Sequence, residues 1–319
     1  MIVRFWGTRG SLPAPLGAAA VRDKIRHALR RAQGMSFASD EAIDRFMDEA
    51  LSFPERGTFG GNSPCVEIDI GGDRRFLCDL GTGAREFGMR LLTRHGPQAR
   101  HHINVFMSHL HWDHIMGFPI TPQAYIPGNR FRIHGCHEAL ERAFRRQHNA
   151  PSFPVKFGKL PSAIEFVHLE PDRIYDVDGL SVRALQQQHE GDSFAYRFEH
   201  KGKAVVYSTD SEHKEMAIDR DYPFVEFFSG ADLVIFDAMY SLADCVSLKE
   251  DWGHSSNIVG VELCHMAGAR RLCLFHHEPA ATDEMLHRVH QETVRFEQIS
   301  EEGRGLEVIS AYDGLEIQL

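Results

Sequence analysis

The sequence has few cysteines, and none of them are spaced as a metal-binding or redox pair. The six are scattered from Cys65 to Cys273, and no C-x-x-C pair occurs. Most lie in apolar segments such as RLCLF and FLCDL, where cysteine usually serves as a small buried hydrophobic residue. We therefore expect neither a disulfide framework nor a zinc-thiolate site.

An excess of positive charge and a long apolar run are also missing. The chain has 35 Lys and Arg against 45 Asp and Glu, a net charge of -10. We expect no extended nucleic acid as a partner because its binding needs clustered cations, whereas a small phosphate ester is compatible with this charge. No stretch of about 18 apolar residues occurs, and the start, MIVRFWGTRG, lacks the features of a signal peptide. We expect a cytoplasmic protein that makes no contact with membranes.

The composition is typical of a folded enzyme, since the 319 residues are 43% hydrophobic and 25% charged. Strand patterns alternate with helical patterns, which predicts sheets covered by helices. We interpret residues 1–319 as one domain with two insertions. The first, at about 18–52, predicts two helices that serve as packing decoration, a lid or a homodimer contact. The second, at about 118–160, is rich in Pro and aromatic residues and forms either a pocket wall or a surface loop.

Histidine is abundant, and three of the 20 histidines stand with an aspartate in one short motif, SHLHWDH. The motif follows INVFM (103–107), an apolar run that predicts a buried strand. In extended backbone His109 and His111 can face one side, whereas Asp113 and His114 can turn towards another. One loop could therefore serve two ions, although a His-rich surface loop is the alternative.

Three further polar residues end strand patterns elsewhere in the chain. His189 ends LSVRALQQQ, Asp210 ends AVVYST, and His276 ends RLCLF. A two-ion site needs about eight ligand bonds, including a group shared between the ions, so distant strand ends must complete the motif. Each residue alone would be interpreted as a solvated loop residue, but together with the motif they predict a metal site.

With these segments in this order, the chain resembles the metallo-β-lactamase superfamily, in its phosphodiesterase and ribonuclease Z-like branch. The segments that carry the resemblance are RFWGTRGSLP, GGNSPCVE, FLCDLGTGAR, SHLHWDH, QHEGDSFAYR, VVYSTD, FDAMY, DWGHSS and LFHHEP. The resemblance implies an α/β (α+β) fold. In this αββα sandwich, two facing mixed β-sheets are flanked by helices, and the ions lie at one edge.

The resemblance also implies a set of metal ligands. One ion would be held by His109, His111 and His189, and the other by Asp113, His114 and His276. Asp210 would bridge both ions, and Asp79 would support the ligands without binding an ion itself. His277 adjoins His276, and the LFHHEP segment favours the first of the two.

The catalytic residues implied by the resemblance are Asp113, His254 and Asp237. His254, in the segment DWGHSS, would contact the phosphoryl oxygens or protonate the leaving alkoxide, and Asp237 would orient it. The alternative is a histidine that merely opens a helix, because Ser255 begins a helical pattern over 255–267.

Imidazole and carboxylate ligands suit two divalent ions, with Zn²⁺ favoured and Mn²⁺ as the alternative. A hydroxide held between them would be the nucleophile, and the two charges would neutralise a phosphodiester. The predicted function is therefore a phosphodiesterase that acts on a small or cyclic nucleotide-like phosphodiester. The alternatives are a ribonuclease Z-like RNA endonuclease, a lactone or thioester hydrolase, and a non-catalytic metal or nucleotide sensor.

Two other features allow more than one interpretation. Arg9, together with the segment 60–62 (GGN), either cradles the substrate or belongs to a close-packed turn. The helix predicted at 137–148 carries Arg142, Arg145 and Arg146, a pattern that is most often typical of a solvated face.

Overall fold

The computed structural model describes residues 1–213, 219–240, 252–300 and 305–319, and these form two seven-stranded sheets. The first sheet has the order β14-β1-β2-β3-β4-β5-β6. Its strands are β1 (Ile2–Gly7), β2 (Cys65–Asp69), β3 (Arg74–Cys78), β4 (His102–Phe106), β5 (Arg130–Gly135), β6 (Ala163–His168) and β14 (Glu316–Gln318). Strands β3 to β6 are parallel, whereas β14, β1, β2 and β3 pair antiparallel.

The second sheet has the order β13-β12-β11-β10-β9-β8-β7. Its strands are β7 (Ile174–Val177), β8 (Leu180–Gln187), β9 (Ser193–His200), β10 (Lys203–Ser208), β11 (Leu233–Asp237), β12 (Arg271–Phe275) and β13 (Glu307–Ser310). Strands β10 to β13 are parallel, and β7 to β10 pair antiparallel. Both sheets are therefore mixed.

Helices connect the strands and cover the outer faces of the sheets. They are α1 (Ala18–Arg31), α2 (Asp40–Ala50), α3 (Phe53–Arg56), α4 (Gly83–His95), α5 (Trp112–Ile115), α6 (Leu140–Gln147), α7 (Pro223–Phe228), α8 (Asn257–Ala267) and α9 (Asp283–Ile299). None of the residues of α1 and α2 is buried. In the part of the chain that the structure describes, no helix has the length and apolar character that crossing a membrane requires.

Three apolar layers hold the sandwich together. Between the sheets, Phe5 and Phe106 from the first sheet belong to the same buried cluster as Tyr207 and Phe275 from the second. A second cluster packs the first sheet against α4 and α6, and a third packs the second sheet against α7 and α8. Burying each such large side chain contributes roughly 1.5–3 kcal/mol to folding. The predicted αββα architecture is confirmed.

Local sequence signals explain some element ends, and one prediction was wrong. The hairpin between β2 and β3 turns at Gly71 and Gly72, which have φ values of +86° and +84° that glycine adopts without strain. Helix α8 was predicted to begin at Ser255. It is instead capped by Ser256, whose hydroxyl accepts a hydrogen bond from the amide of Val259, because the Ser255 hydroxyl donates to the carbonyl of Ser211.

Sequence patterns missed six of these strands and helices and misplaced the start of another. Strands β5, β6 and β7 and helices α3, α5 and α7 were not predicted, and α6 starts at Leu140, three residues later than expected. Despite these differences, strands β3, β4, β8, β10, β11 and β12 run in one direction within their sheets. The candidate metal ligands follow these strand ends.

Candidate metal centre

A buried aspartate organises the loop that carries the histidine motif. Asp79 follows β3, and its two carboxylate oxygens accept hydrogen bonds from the amide (2.8 Å) and the hydroxyl (2.7 Å) of Ser108, the residue before the motif. The Tyr207 hydroxyl donates to the same carboxylate at 2.7 Å. The Nδ1 atom of His114 lies 2.7 Å from Oδ2 of Asp79. This contact orients His114 so that its Nε2 atom points away from Asp79.

Four donor atoms from three separate strand ends surround one point. The Nε2 atom of His114 lies 3.2 Å from Oδ2 of Asp113, 3.3 Å from Oδ1 of Asp210 and 3.4 Å from Nε2 of His276. The Nε2 atom of His276 lies 3.5 Å from the Asp113 oxygen and 3.3 Å from the Asp210 oxygen. In a tetrahedral site with ligand bonds of about 2.1 Å, neighbouring ligand atoms are about 3.4 Å apart. The spacing of these donors therefore fits a divalent cation.

The other oxygen of Asp210 belongs to a second donor cluster. Its Oδ2 atom lies 3.6 Å from Nε2 of His109 and 3.9 Å from Nε2 of His189. His189 Nε2 is in turn 3.2 Å from Nδ1 of His111. The Nδ1 group of His189 donates to the carbonyl of Gly253 at 2.8 Å, which fixes the ring orientation. The carboxylate of Asp210 is thus shared between two groups of imidazoles.

Unsatisfied polar atoms and backbone strain both occur in this cluster. In the described part of the chain, His109 Nε2 and Asp113 Oδ2 are buried and have no hydrogen-bond partner. Burial and the neighbouring His114 hold the pKa of His109 well below its usual value, so its imidazole is neutral, as a metal ligand must be. Asp79, Asp210 and His276 have left-handed φ values of +59°, +47° and +59°. Such strain persists where the surroundings impose it, commonly at functional sites.

A histidine–aspartate pair adjoins both donor clusters. His254 precedes α8, and its Nδ1 group donates to Oδ2 of Asp237, at the end of β11, over 2.8 Å. Burial alone would lower the pKa of His254, but the carboxylates of Asp237, Asp210 and Asp113 together outweigh it and raise the pKa to about 9. The His254 ring lies 5.3 Å from the ring of His189 and 5.2 Å from that of His276. The protonated imidazole of His254 therefore lies beside the donor clusters.

The structure brings all the candidate site residues together. His277 is directed elsewhere, because its Nε2 group donates to the carbonyl of Ala311 at 2.8 Å and its ring packs against Phe59. Asp251, the first residue of the DWGHSS segment, lies outside the described residues. The supporting residues Tyr207 and Gly253 were not predicted, since a buried tyrosine and a loop glycine have no distinctive sequence pattern.

Arg9 belongs to a close-packed turn. Its guanidinium is buried and donates to the carbonyls of Gly60, Glu278 and Ala281. A side chain at Gly60 would place its Cβ atom 2.1 Å from the carboxyl carbon of Asp313. The loops around Arg9 are therefore joined by hydrogen bonds from its guanidinium to their backbone carbonyls.

Comparisons with known proteins agree with this architecture. Residues 74–277 match the family model of the beta-lactamase superfamily domain. The ribonuclease Z of Thermoplasma acidophilum is 23% identical over 233 residues, which cover 56% of this chain and 70% of that protein. A crystal structure of a diphosphatase from the PhnP family superposes with a TM-score of 0.60 at 18% identity, covering 100% of this chain and 97% of the other. Human tRNase Z, short form, gives a TM-score of 0.59 at 17% identity, covering 100% and 99%. The chain belongs to the β-lactamase superfamily and is a metal-dependent hydrolase, as the sequence resemblance implied.

Proposed function

We propose that this protein is a dinuclear phosphodiesterase that hydrolyses a small or cyclic nucleotide-like phosphodiester. The single observation that carries the proposal is the position of Asp210, whose two carboxylate oxygens face two separate donor clusters. One cluster consists of His109, His111 and His189, and the other consists of Asp113, His114 and His276. We propose these seven side chains as the ligands of two divalent cations.

Two divalent cations, Zn²⁺ or Mn²⁺, would supply Lewis-acid polarisation of the phosphoryl group and a water acidified to near-neutral pH. The chain's own residues supply positioning and proton transfer. His254 would donate its Nε2 proton to the leaving alkoxide, and Asp237 would hold the opposite Nδ1 proton and keep the ring cationic. We place Asp113 with these catalytic residues because its Oδ2 atom lies in the same donor cluster, 3.2 Å from Nε2 of His114 and 3.5 Å from Nε2 of His276.

A ribonuclease Z-like endonuclease is the second candidate. It is favoured by the relatives, which include the ribonuclease Z of Thermoplasma acidophilum and human tRNase Z. The net charge of -10 favours a small substrate instead, because extended RNA is bound mainly through clustered cations. A small diester is also compatible with the cytoplasmic location that the sequence predicts.

The test is hydrolysis of bis(p-nitrophenyl) phosphate by the full chain loaded with Zn²⁺ or with Mn²⁺. We expect release of p-nitrophenolate, and we expect His254→Ala to lower kcat by roughly 10²–10⁴-fold because a general acid is lost. Metal content, measured by atomic absorption, should not change in this variant. The matched control is His168→Ala, an exposed histidine at the end of β6, which should retain full activity.

The possible outcomes separate the candidate functions. Absence of hydrolysis with both metals would refute the phosphodiesterase. Cleavage of precursor transfer RNA without cleavage of small diesters would establish the ribonuclease. Turnover confined to a thioester or lactone would point to the remaining hydrolase class, and intact metal binding without any turnover would point to a sensor. Comparing cyclic mononucleotides with linear and cyclic dinucleotides would then identify the substrate.

A further inference from the structure

A cavity opens beside the loop that carries the proposed metal ligands. It has a volume of about 700 Å³, within the range of small-molecule sites. Leu110 and Trp112 line one side, and these two residues alternate along the chain with the proposed ligands His109, His111 and Asp113. Since consecutive Cα atoms are about 3.8 Å apart, the cavity begins one residue away from the metal centre.

The walls of this cavity present apolar surface to solvent. The side chain of Trp112 is 70% exposed, and that of Ile120 is 46% exposed. Phe153 lines the cavity as well, with Ala143 of α6. Exposed apolar surface of this kind is costly unless something covers it, and exposed tryptophan offers a broad flat face for an aromatic ring.

Helix α6 adds positive charge to the same cavity. Arg142 and Arg146 are one helical turn apart and both line it. Neither forms an ion pair with any residue that the structure describes. Arg145 differs, because its guanidinium pairs with Glu141 at 2.7 Å and lies over the Phe157 ring at 4.7 Å. Two like charges at i and i+4 destabilise a helix slightly, and a bound anion would relieve this repulsion.

Among the described residues, this cavity is lined by a side-chain amide and by no carboxylate. The side-chain nitrogen of Gln147, which also lines the cavity, is buried and has no hydrogen-bond partner among the described residues. Buried donors are normally satisfied, and leaving one unpaired costs free energy. No Asp or Glu of the described chain lines the cavity, so an anion would meet no opposing carboxylate.

We propose that this cavity is a nucleotide subsite. The base packs against Trp112 and the apolar wall, and a phosphate is bound by Arg142 and Arg146, whose guanidinium groups suit phosphate geometry. The assignment of this nucleotide to the substrate rests on the proposed function. It implies that the substrate carries a second phosphate besides the diester at the metal centre, as cyclic dinucleotides and 5′-phosphorylated linear dinucleotides do and cyclic mononucleotides do not.

The direct test is the binding of adenosine 5′-monophosphate to the full chain, measured by calorimetry with the metal present and after chelation. We expect binding in both states. The double variant R142Q/R146Q should weaken it by roughly tenfold or more, since charge-assisted hydrogen bonds are lost. Arg145→Gln, on the same helix but paired elsewhere, is the matched control and should bind normally. Trp112→Ala should weaken binding by roughly tenfold, and Trp112→Phe should restore most of it because an aromatic face returns.

Two results would overturn the subsite. One is unchanged binding by R142Q/R146Q, and the other is complete loss of binding on chelation, which would place the nucleotide on the metal centre alone. Hydrolysis provides a separate readout. In R142Q/R146Q the kcat/KM for a 5′-phosphorylated linear dinucleotide should fall at least tenfold relative to that for bis(p-nitrophenyl) phosphate. If the chain hydrolyses no diester but still binds the nucleotide through these arginines, the proposed function fails and the subsite stands. If hydrolysis occurs without this selectivity or binding, only the subsite fails.

Discussion

The Nδ1 atom of His114 lies 2.7 Å from Oδ2 of Asp79, and both side chains are completely buried. The same carboxylate accepts hydrogen bonds from Ser108 and Tyr207. It therefore links the end of β3, the start of the histidine motif and the facing sheet in one network. A carboxylate behind a ligating histidine fixes the ring and raises its basicity.

Replacing this carboxylate should weaken metal binding without removing a ligand. For Asp79→Asn we expect metal affinity to fall about 10–100-fold, the usual effect of losing such a partner. Competition with a chromophoric chelator measures the affinity. The control is Asp73→Asn, because the Asp73 side chain is 96% exposed. Wild-type affinity in Asp79→Asn would show that Asp79 does not tune the site.

His254 and Asp237 should behave as one catalytic unit. Each of His254→Ala and Asp237→Asn should lower kcat, and the double variant should be little worse than His254→Ala alone. The reason is that Asp237 acts through the ring it orients, by the 2.8 Å hydrogen bond to Nδ1. Steady-state kinetics of all four proteins completes the cycle. Additive losses would mean that Asp237 acts independently of His254.

Chelation should lower thermal stability markedly. Metal that binds only the folded state at about 1,000 times its dissociation constant stabilises it by about 4 kcal/mol. Without metal, the buried carboxylates of Asp113 and Asp210 face the imidazoles around them, and Asp210 also accepts a hydrogen bond from the Thr209 hydroxyl. Calorimetric Tm values with and without chelator measure the difference. In Asp210→Ala, which removes the shared carboxylate, the difference should shrink by more than half, and an unchanged difference would contradict a shared ligand.

The glycine before His254 should be required for the position of His189. At Gly253, φ is +78° and a Cβ atom would lie 2.4 Å from Nδ1 of His189. Gly179 has a similar φ of +87°, but a Cβ atom there would meet no atom within 4 Å. Alanine at either position should cost about 1–2 kcal/mol through the left-handed backbone. Only Gly253→Ala should also lose metal and activity, as metal analysis and a diester assay would show; equal losses in both variants would rule out the steric explanation.

Acid should destabilise the fold through a buried histidine distant from the metal ligands. Burial lowers the pKa of His134 from 6.5 to about 4. Between pH 6.5 and pH 4, His134 is therefore protonated in the unfolded chain and neutral in the folded chain. The free energy of unfolding that is present above pH 6.5 decreases as the pH falls towards 4. Between pH 7.5 and pH 5 this loss is about 2 kcal/mol for His134.

Urea unfolding of chelator-treated protein at these two pH values tests the effect. His134→Gln should lose less stability between them than the wild type does, because glutamine does not titrate. His168→Gln, at an exposed position, should behave like the wild type. An identical pH dependence in His134→Gln would mean that other groups cause the acid sensitivity.

Much of the fold was predictable because its strands have local signatures. The apolar run before His109 and the paired glycines at 71–72 predicted β4 and the β2–β3 hairpin correctly. Strands β6 and β7 were missed because they lie at sheet edges, where exposed positions interrupt the apolar pattern. Helix α7 was missed because its six residues, PFVEFF, are too few to show helical periodicity.

The candidate ligand residues could be proposed from the chain alone, because a polar side chain at the end of an apolar strand is a local pattern and the order of the motifs along the chain is specific. Their geometry could not be obtained in this way. Asp210 faces two donor clusters only because the parallel strands of both sheets end at one edge of the sandwich. The structural role of Arg9 and the cavity beside Trp112 likewise depend on loops packed against distant elements. Such contacts join residues far apart in sequence, and no periodic pattern encodes them.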